Sequence, residues 1–260
     1  MKCREIIRIL EEKYPPSCAE EWDNPGLLLG RAEKDVRKIL VALDVTDQAV
    51  ERALEWGADL IVSHHPLIFK GIRQINDGNF LGRRILTLAE HGIACYAMHT
   101  NFDVRGMADL NEKQLNLKNT EVLLKTGENQ GKPQGIGRIG DLPEPMDPMQ
   151  LAGYVKQQLK LPAVRCYGKS GEKLVRAAVS GGSGKSVVDV AVAAGARALI
   201  TGDIDYHTAI DALAQGLVII DAGHYGTESV FIESVARELS VLLPECRTAA
   251  MEIEQPFTVI

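Results

Sequence analysis

The stretch Asp59-Leu60-Ile61-Val62-Ser63-His64-His65-Pro66 decides the fold that we expect for this chain. Its short apolar run contains β-branched residues and is bounded by an aspartate and a proline, which predicts a buried strand. Because successive side chains of an extended segment point to opposite sides, His64 and His65 suit two metal ions, or two walls of a pocket, better than one ion. The alternative is a surface pair of histidines before a loop.

Strand and helix signals alternate on both sides of this stretch. From residue 38 to residue 98 their order is β-α-β-α-β, with Thr46 and Asp47 as helix caps, which predicts a mainly parallel sheet. The predicted strands cover 38–45, 60–62, 93–98, 163–167, 174–179, 198–201, 217–220, 247–253 and 257–260. The predicted helices cover 3–14, 47–56, 81–90, 148–159, 185–194 and 225–243, with a further helix between 203 and 217.

Glycine and proline become frequent from about residue 125 to residue 148, which predicts a boundary or hinge with one short strand. A length of 260 residues allows one large domain or two small ones. We therefore expect an α/β protein of two lobes, 1–125 and 126–260, each with a mainly parallel or mixed sheet flanked by helices.

The composition narrows the functional classes. A net charge of −6 argues against broad nucleic-acid binding. One local basic cluster, Lys70, Arg73, Arg83 and Arg84, leaves a nucleic-acid-binding ring as a weak alternative to a solvated helix face.

The cysteines and the N-terminus predict a cytoplasmic protein. Five dispersed cysteines without a Cys-x-x-Cys pair are typical of a reducing compartment. The N-terminus carries charge from its second residue, which does not match a signal peptide, and no apolar run approaches the roughly 20 residues that span a bilayer.

Histidines concentrate where predicted strands end. Five of the six lie there or just beyond, namely His64, His65, His99, His207 and His224. The same ends carry the aspartates Asp103, Asp203, Asp205 and Asp221. Because ligands of open α/β sheets bind beyond the carboxyl ends of the strands, this pattern predicts a metal site. The sixth histidine, His91, suits the end of a helix ahead of Gly92.

The spacing of His224 and Glu228 places both side chains on one face at the start of a predicted helix. Glu228 would also complement the helix dipole, and both roles can hold together. With His64, His65 and Asp103, these donors suit a two-metal centre with one bridging carboxylate and ions roughly 3.5–4 Å apart. Mixed nitrogen and oxygen donors fit Zn, Mn, Fe or Co and disfavour Mg or Ca.

A glycine-rich segment, Gly181-Gly182-Ser183-Gly184-Lys185-Ser186, is similar to a phosphate-binding loop. The full pattern needs a glycine at position 179, where this chain has Val179, so a Walker A site is excluded. Backbone N–H groups that bind an anion and a tight strand-to-helix turn remain equal alternatives.

Six motifs occur in order along the chain. They are the Trp22-Asp23-Asn24 loop with Gly26, Ser63-His64-His65-Pro66, His99-Thr100-Asn101-Phe102-Asp103, Ser180-Gly181-Gly182-Ser183-Gly184, Thr201-Gly202-Asp203-Ile204 and His224-Tyr225-Gly226-Thr227-Glu228. Together they resemble the GTP cyclohydrolase 1 type 2 homologue family, also called Nif-three-like proteins. The resemblance runs from about residue 6 onward, and this chain is too short for the extra middle domain of longer members.

The resemblance implies a two-lobed α/β fold, a dinuclear site between the lobes and a ring-shaped homohexamer. It implies two divalent ions on His64, His65, Asp103, His224 and Glu228, the five residues that the spacing also selects, and the donor types make these ions Zn, Fe, Mn or Co. Our hypothesis is that Glu228 is the bridge. The candidates for a catalytic role in proton transfer are His99 and His207.

Two functions fit these features. The first is a metal-dependent hydrolase of a nucleotide or phosphoester, in which two ions lower the pKa of a bridging water. GTP is suggested by the family name alone, since fold and metal do not fix the substrate. The second is a non-catalytic metal-binding or regulatory protein that acts through partners. An open coordination position beside a general base distinguishes the two.

Overall fold

The computed structural model describes residues 1–169, 171–252, 255 and 257–259. It is a mixed α/β chain with two sheets flanked by helices, as predicted. The helices are α1 (Cys3–Lys13), α2 (Asp47–Trp56), α3 (Phe80–Glu90), α4 (Thr100–Phe102), α5 (Ala108–Gln114), α6 (Pro148–Gln158), α7 (Val188–Ala193), α8 (Tyr206–Ala214), α9 (His224–Glu228) and α10 (Val230–Leu242). The strands are β1 (Gly26–Leu29), β2 (Lys38–Ala42), β3 (Leu60–Ser63), β4 (Ala94–Ala97), β5 (Lys118–Asn129), β6 (Lys132–Met146), β7 (Arg165–Tyr167), β8 (Leu174–Ser183), β9 (Ala198–Gly202), β10 (Val218–Asp221) and β11 (Arg247–Ala250).

The chain divides into two compact units. Unit 1 comprises residues 1–102 and 231–252, and unit 2 comprises residues 103–230 with the described residues after 254. This division differs from the expected lobes, 1–125 and 126–260. Residues 103–125 belong to unit 2, and the last long helix returns the chain to unit 1.

Unit 1 is built on a five-stranded sheet of order β1-β4-β3-β2-β11. Its four strands β4, β3, β2 and β11 are parallel, and β1 pairs with β4 in the antiparallel sense. The apolar run of β3 is completely buried at its centre, which explains why it lacks polar alternation. The predicted β-α-β-α-β order is confirmed, including the cap of α2, where Thr46 Oγ1 accepts from the N–H of Ala49.

Unit 2 is built on a six-stranded sheet of order β5-β6-β8-β9-β10-β7. The strands β8, β9 and β10 are parallel, while β5, β6 and β7 pair in the antiparallel sense. Parallel strands carry their carboxyl ends to one edge, so the segments after β8, β9 and β10 meet there. This edge holds Gly182, Asp203 and His224.

The prediction of a hinge with one short strand at 125–148 is wrong, because this segment lies in a long hairpin of β5 and β6. Its glycines mark places where neighbouring backbone approaches closely. A Cβ at Gly135 or Gly140 would collide with the carbonyl of Leu124 or Lys118, and Gly137 has a φ of +71°. Glycine therefore indicates strand crowding here and not a linker.

Other elements differ from prediction at their ends. Residues 100–114, for which we predicted no helix, form α4, a π-helical turn at Asp103–Met107, and α5. Residues 180–183 end β8 where we expected a glycine-rich turn ahead of the helix at 185–194, and the helix predicted at 225–243 consists of α9 and α10.

The C-terminal predictions are only partly covered by the structure. The strand predicted at 247–253 is observed as β11, and its last residue lies outside the described residues. The strand predicted at 257–260 also ends outside them, and residues 257–259 are irregular. Within the described chain, every helix is too short or too polar to cross a bilayer.

Candidate metal centre

Unit 1 gathers three histidines at the carboxyl ends of adjacent strands. His64 and His65 follow β3, and His99 follows β4. One ring nitrogen of each lies within 4.8 Å of the others, a spacing that could hold a metal ion. His64 is completely buried, whereas His65 and His99 are half-buried. The fold thus brings together three of the histidines selected from the sequence.

Each of these rings uses Nδ1 in a hydrogen bond to an oxygen. His64 donates to the carbonyl of Met98 (2.8 Å), and His65 donates to Asp44 (2.8 Å). His99 donates to Asp23 (2.7 Å). Carbonyl and carboxylate oxygens accept, so Nδ1 carries a proton, and in the neutral ring the lone pair is on Nε2. This is the arrangement that orients metal-binding histidines.

Asp23 is the most heavily bonded of these acceptors. Its side chain is fully buried, and it also accepts from the N–H (3.0 Å) and hydroxyl (2.5 Å) of Thr100. Burial raises the pKa of Asp23, but the hydrogen bonds from His99 and Thr100 outweigh it and lower the pKa to about 2. Asp23 is therefore a permanent anion that fixes His99.

Apolar rings shield the inner side of the histidine group. His64 lies tilted against Phe231, with ring centroids 5.2 Å apart, and edge-on to Phe102 at 6.2 Å. Both phenylalanines are almost completely buried. Removal of water from His64 strengthens any electrostatic interaction at its Nε2.

Unit 2 supplies carboxylates and one further histidine. Nε2 of His224 lies 3.1 Å from a carboxylate oxygen of Glu228, one turn along α9. Nδ1 of His224 bonds Asp203 at 2.8 Å, in the same arrangement as the histidines of unit 1. Because Nδ1 carries the proton, the short distance between Nε2 and the Glu228 oxygen calls for a cation there, either a second proton or a metal ion. An oxygen of Asp103 lies within 4.8 Å of Glu228.

The glycine-rich segment makes room for Glu228. Gly182 has a φ of +64°, and a Cβ there would collide with the Glu228 carboxylate and press on Nε2 of His224. Its N–H donates to Thr227 Oγ1 at 2.9 Å. Glycine at position 182 is thus required both for its backbone conformation and for the approach of β8 to α9.

Asp203 and Asp103 both stand on unusual backbone. Asp203 has a φ of +55°, a left-handed conformation that non-glycine residues seldom adopt. Asp103 begins the π-helical turn, a conformation often found at functional sites. The left-handed conformation of Asp203 is consistent with a position held for function.

Three polar residues from the strand ends serve other purposes. Asp205 caps α8 by accepting from the N–H of Thr208 (3.0 Å), and Asp221 is buried with Arg165 at 3.0 Å. His207 is exposed on α8 with its ring against Tyr206, and it belongs to none of the metal-capable groups in the described ranges. His91 donates from Nδ1 to the carbonyl of Thr87 (2.8 Å) at the end of α3, as predicted.

Asp44 is a site residue that the sequence argument did not select. It lies two residues beyond the end of β2 and holds His65. Its position after a parallel strand could have identified it from the sequence, because Asp103 and Asp203 were selected for lying after predicted strands.

The fold and these groups define the class of protein: an α/β protein whose strand ends carry oriented histidines and carboxylates of the kinds that bind transition metals. A model of the Duf34/NIF3 (NGG1p interacting factor 3) family matches residues 1–256, and the chain belongs to this family. The resemblance inferred from the motifs is confirmed.

Relatives agree over most of the chain. It is 36% identical over 230 residues to a "GTP cyclohydrolase 1 type 2 homolog" of Clostridium perfringens, covering 88% of this chain and 87% of the relative. It is 37% identical over 246 residues to the protein of that name from Streptococcus pneumoniae, covering 92% and 91%. The crystal structure of a Bacillus cereus protein related to NIF3 superposes with a TM-score of 0.93 at 28% identity, covering 100% of this chain and 99% of that one.

Proposed function

We propose that this protein is a metal-dependent hydrolase that acts on a nucleotide or a phosphoester. Two divalent transition-metal ions, Zn, Fe, Mn or Co, would be held by His64, His65, Asp103, His224 and Glu228. The names of the relatives, which refer to a GTP cyclohydrolase, favour a nucleotide over other phosphoesters.

The observation that carries the proposal is the convergence of oriented histidines. His64, His65, His99 and His224 each donate from Nδ1 to an oxygen, which leaves Nε2 as the atom for metal binding or proton transfer. His91 makes the same bond at the end of α3, so the bond alone does not indicate a metal. The ring nitrogens of His64, His65 and His99, however, lie within 4.8 Å of one another. A second hydrogen bond that fixes the ring and raises its basicity is typical of metal-binding histidines.

The donor set suits the proposed ions. Neutral imidazoles and carboxylates together favour Zn, Fe, Mn or Co over Mg or Ca. Two such ions, when bound, lower the pKa of a coordinated water and orient the group that it attacks. Glu228 is proposed as the bridging carboxylate, since it lies close to both Asp103 and His224 within unit 2.

His99 is proposed as the residue that moves the proton. The Asp23 carboxylate holds its Nδ1–H, which leaves Nε2 as the basic atom. A buried aspartate behind a histidine stabilises the imidazolium that forms when Nε2 takes up a proton. The predicted role of His207 remains a proposal with weaker support, since this side chain is exposed on α8. The ring-shaped homohexamer and the cytoplasmic location likewise remain proposals.

Metal content tests the proposal first. Untagged wild-type protein is expected to hold about two transition-metal ions per chain by elemental analysis. The Glu228→Ala variant should hold far fewer. Glu233→Ala, which alters an exposed carboxylate of α10, is the matched control and should keep the wild-type content.

Activity then separates the two functions. We expect metal-loaded wild type to hydrolyse a nucleotide or phosphoester, and His65→Ala to abolish turnover while the circular dichroism spectrum is retained. Full metal occupancy with no turnover over a broad panel of nucleotides and phosphoesters would favour the non-catalytic metal-binding function. Little metal in the wild type would refute both.

A further inference from the structure

Two large aromatic side chains are exposed to solvent beside the histidines of unit 1. Trp22 is 60% exposed and Phe69 is 48% exposed. Their rings meet edge to face, with centroids 5.8 Å apart. Single exposed apolar residues are ordinary, whereas contiguous exposed apolar side chains can form a ligand-binding surface.

The pair is held in place from both sides. Before Trp22, the N–H of Glu20 donates to Thr100 Oγ1 (2.9 Å), and after it the buried Asp23 accepts two bonds from Thr100. The side-chain amide of Asn24 donates to the carbonyl of Ile68 (2.7 Å), the residue before Phe69. These bonds fix the backbone on either side of Trp22 and tie it to the segment that carries Phe69, so the two rings are pre-organised.

His99 links the aromatic pair to the histidine group. Its ring lies edge-on to Trp22 at 5.9 Å and to Phe69 at 6.1 Å. The same ring lies 5.3 Å from that of His64 and 5.5 Å from that of His65. A molecule bound on Trp22 and Phe69 would therefore lie next to the atoms to which the proposed function assigns chemistry.

We infer that Trp22 and Phe69 form a stacking platform for a planar heteroaromatic ring, of the size of a purine base, carried by the substrate. Edge-to-face packing leaves ring faces open, and base–aromatic stacking is favourable for every base because each has a π-face. The two exposed rings lie against the mostly buried ring of His99, and flat aromatic faces suit a flat ring better than a peptide. The inference rests on the proposed function in one respect, namely that the histidines beside the bound ring are catalytic groups. The binding test below does not depend on that function.

The test uses Trp22 as its own reporter. The chain has two tryptophans, and Trp56→Phe leaves Trp22 as the sole one. Protein of this background, treated with EDTA, is titrated with GMP, with ribose 5-phosphate and with inorganic phosphate. We expect saturable quenching of Trp22 fluorescence by GMP alone, because only GMP carries an aromatic ring.

Calorimetry with otherwise wild-type protein measures the contribution of the ring. Trp22→Ala should weaken GMP binding about tenfold or more, whereas Trp22→Phe should retain most of it. Phe80→Ala is the matched control, since Phe80 is 57% exposed and its ring packs on Arg84. It should leave GMP binding unchanged.

Several outcomes would overturn the inference. Absence of quenching by GMP, or equal effects of GMP and ribose 5-phosphate, would show that no aromatic ring is bound. Quenching that follows protein concentration, with matching self-association in sedimentation, would assign the platform to contacts between copies of the chain. The quenching experiment needs no substitution at Trp22. It therefore remains a decisive test even if Trp22→Ala misfolds. EDTA removes metal before the titration, so GMP binding is measured without it. Failure of GMP to bind is therefore a separate result from failure of the chain to bind metal.

Discussion

The carboxylate of Asp23 accepts a hydrogen bond from Nδ1 of His99, 76 residues further along the chain, at a distance of 2.7 Å. The same carboxylate accepts from the N–H and hydroxyl of Thr100. One buried anion thus fixes the start of the segment after β4, the ring of His99 and the loop that carries Trp22.

This relationship predicts an acid-sensitive contribution to stability. The pKa of Asp23 is about 2 in the folded chain, below its ordinary value of 3.8. Because the pKa of Asp23 is lower in the folded than in the unfolded chain, its ionised carboxylate stabilises the folded state. This contribution is fully present above pH 4 and disappears as the pH falls from about 4 to 2. In urea unfolding at pH 7 we expect the free energy of unfolding of Asp23→Asn to be about 2 kcal/mol lower than that of wild type.

The difference between wild type and Asp23→Asn should shrink as the pH approaches 2. Asp77→Asn, which changes an exposed aspartate before α3, is the control and should track wild type throughout. A difference between wild type and Asp23→Asn that is independent of pH would mean that the carboxylate charge contributes nothing.

Gly182 offers a test of how closely β8 approaches Glu228. We expect Gly182→Ala to lower the free energy of unfolding and to reduce bound metal, because its Cβ collides with the Glu228 carboxylate. Gly195→Ala is a matched control: Gly195 has a φ of +80° but no atom within 4 Å of the added Cβ. Both variants suffer the left-handed strain, about 1 kcal/mol, and Gly182→Ala alone should lose metal. Equal metal content in the two variants would contradict the crowding argument.

The comparison of β3 with the hairpin of β5 and β6 shows what the sequence could predict. The centre of β3 is buried on both faces, so its continuous apolar run is a direct consequence of its environment. The hairpin contains glycines because the backbone of β5 crowds Gly135 and Gly140 of β6, and the residues next to each glycine in the sequence do not reveal that crowding. Glycine in sequence therefore indicated a linker, whereas the fold uses it inside strands.

The candidate site likewise has residues that the sequence predicts and partners that only the fold reveals. Strand ends are local features, so His64, His65, His99 and His224 could be selected from the sequence. Their partners are set by the tertiary fold: Asp23 approaches His99, and Asp44 approaches His65, from other segments of the chain. The Trp22-Asp23-Asn24 loop was recognised as a motif, but its role in holding His99 required the structure.

The acids behind the histidines should tune metal affinity. Asp44 and Asp203 accept from Nδ1 of His65 and His224, and neither is among the five proposed ligands. We expect Asp44→Asn and Asp203→Asn each to weaken binding of Zn or Mn by about 10–100-fold, measured by competition with a chromogenic chelator. Asp47→Asn, at the start of α2, removes a carboxylate that pairs with Arg84 and should have wild-type affinity. Wild-type affinity in both test variants would show that these hydrogen bonds do not orient ligands.

The cysteines should report on the buried core. Cys95 is 1% exposed in β4, and burial raises its pKa to about 12. Burial likewise raises the pKa values of Cys3 and Cys246. Since the thiolate is the reactive form, we expect these three thiols to resist a disulfide reagent at pH 8 in native protein and to react fully in denaturant. Peptide mapping after timed labelling identifies the modified residues, and rapid native labelling of Cys95 would contradict the observed core of unit 1.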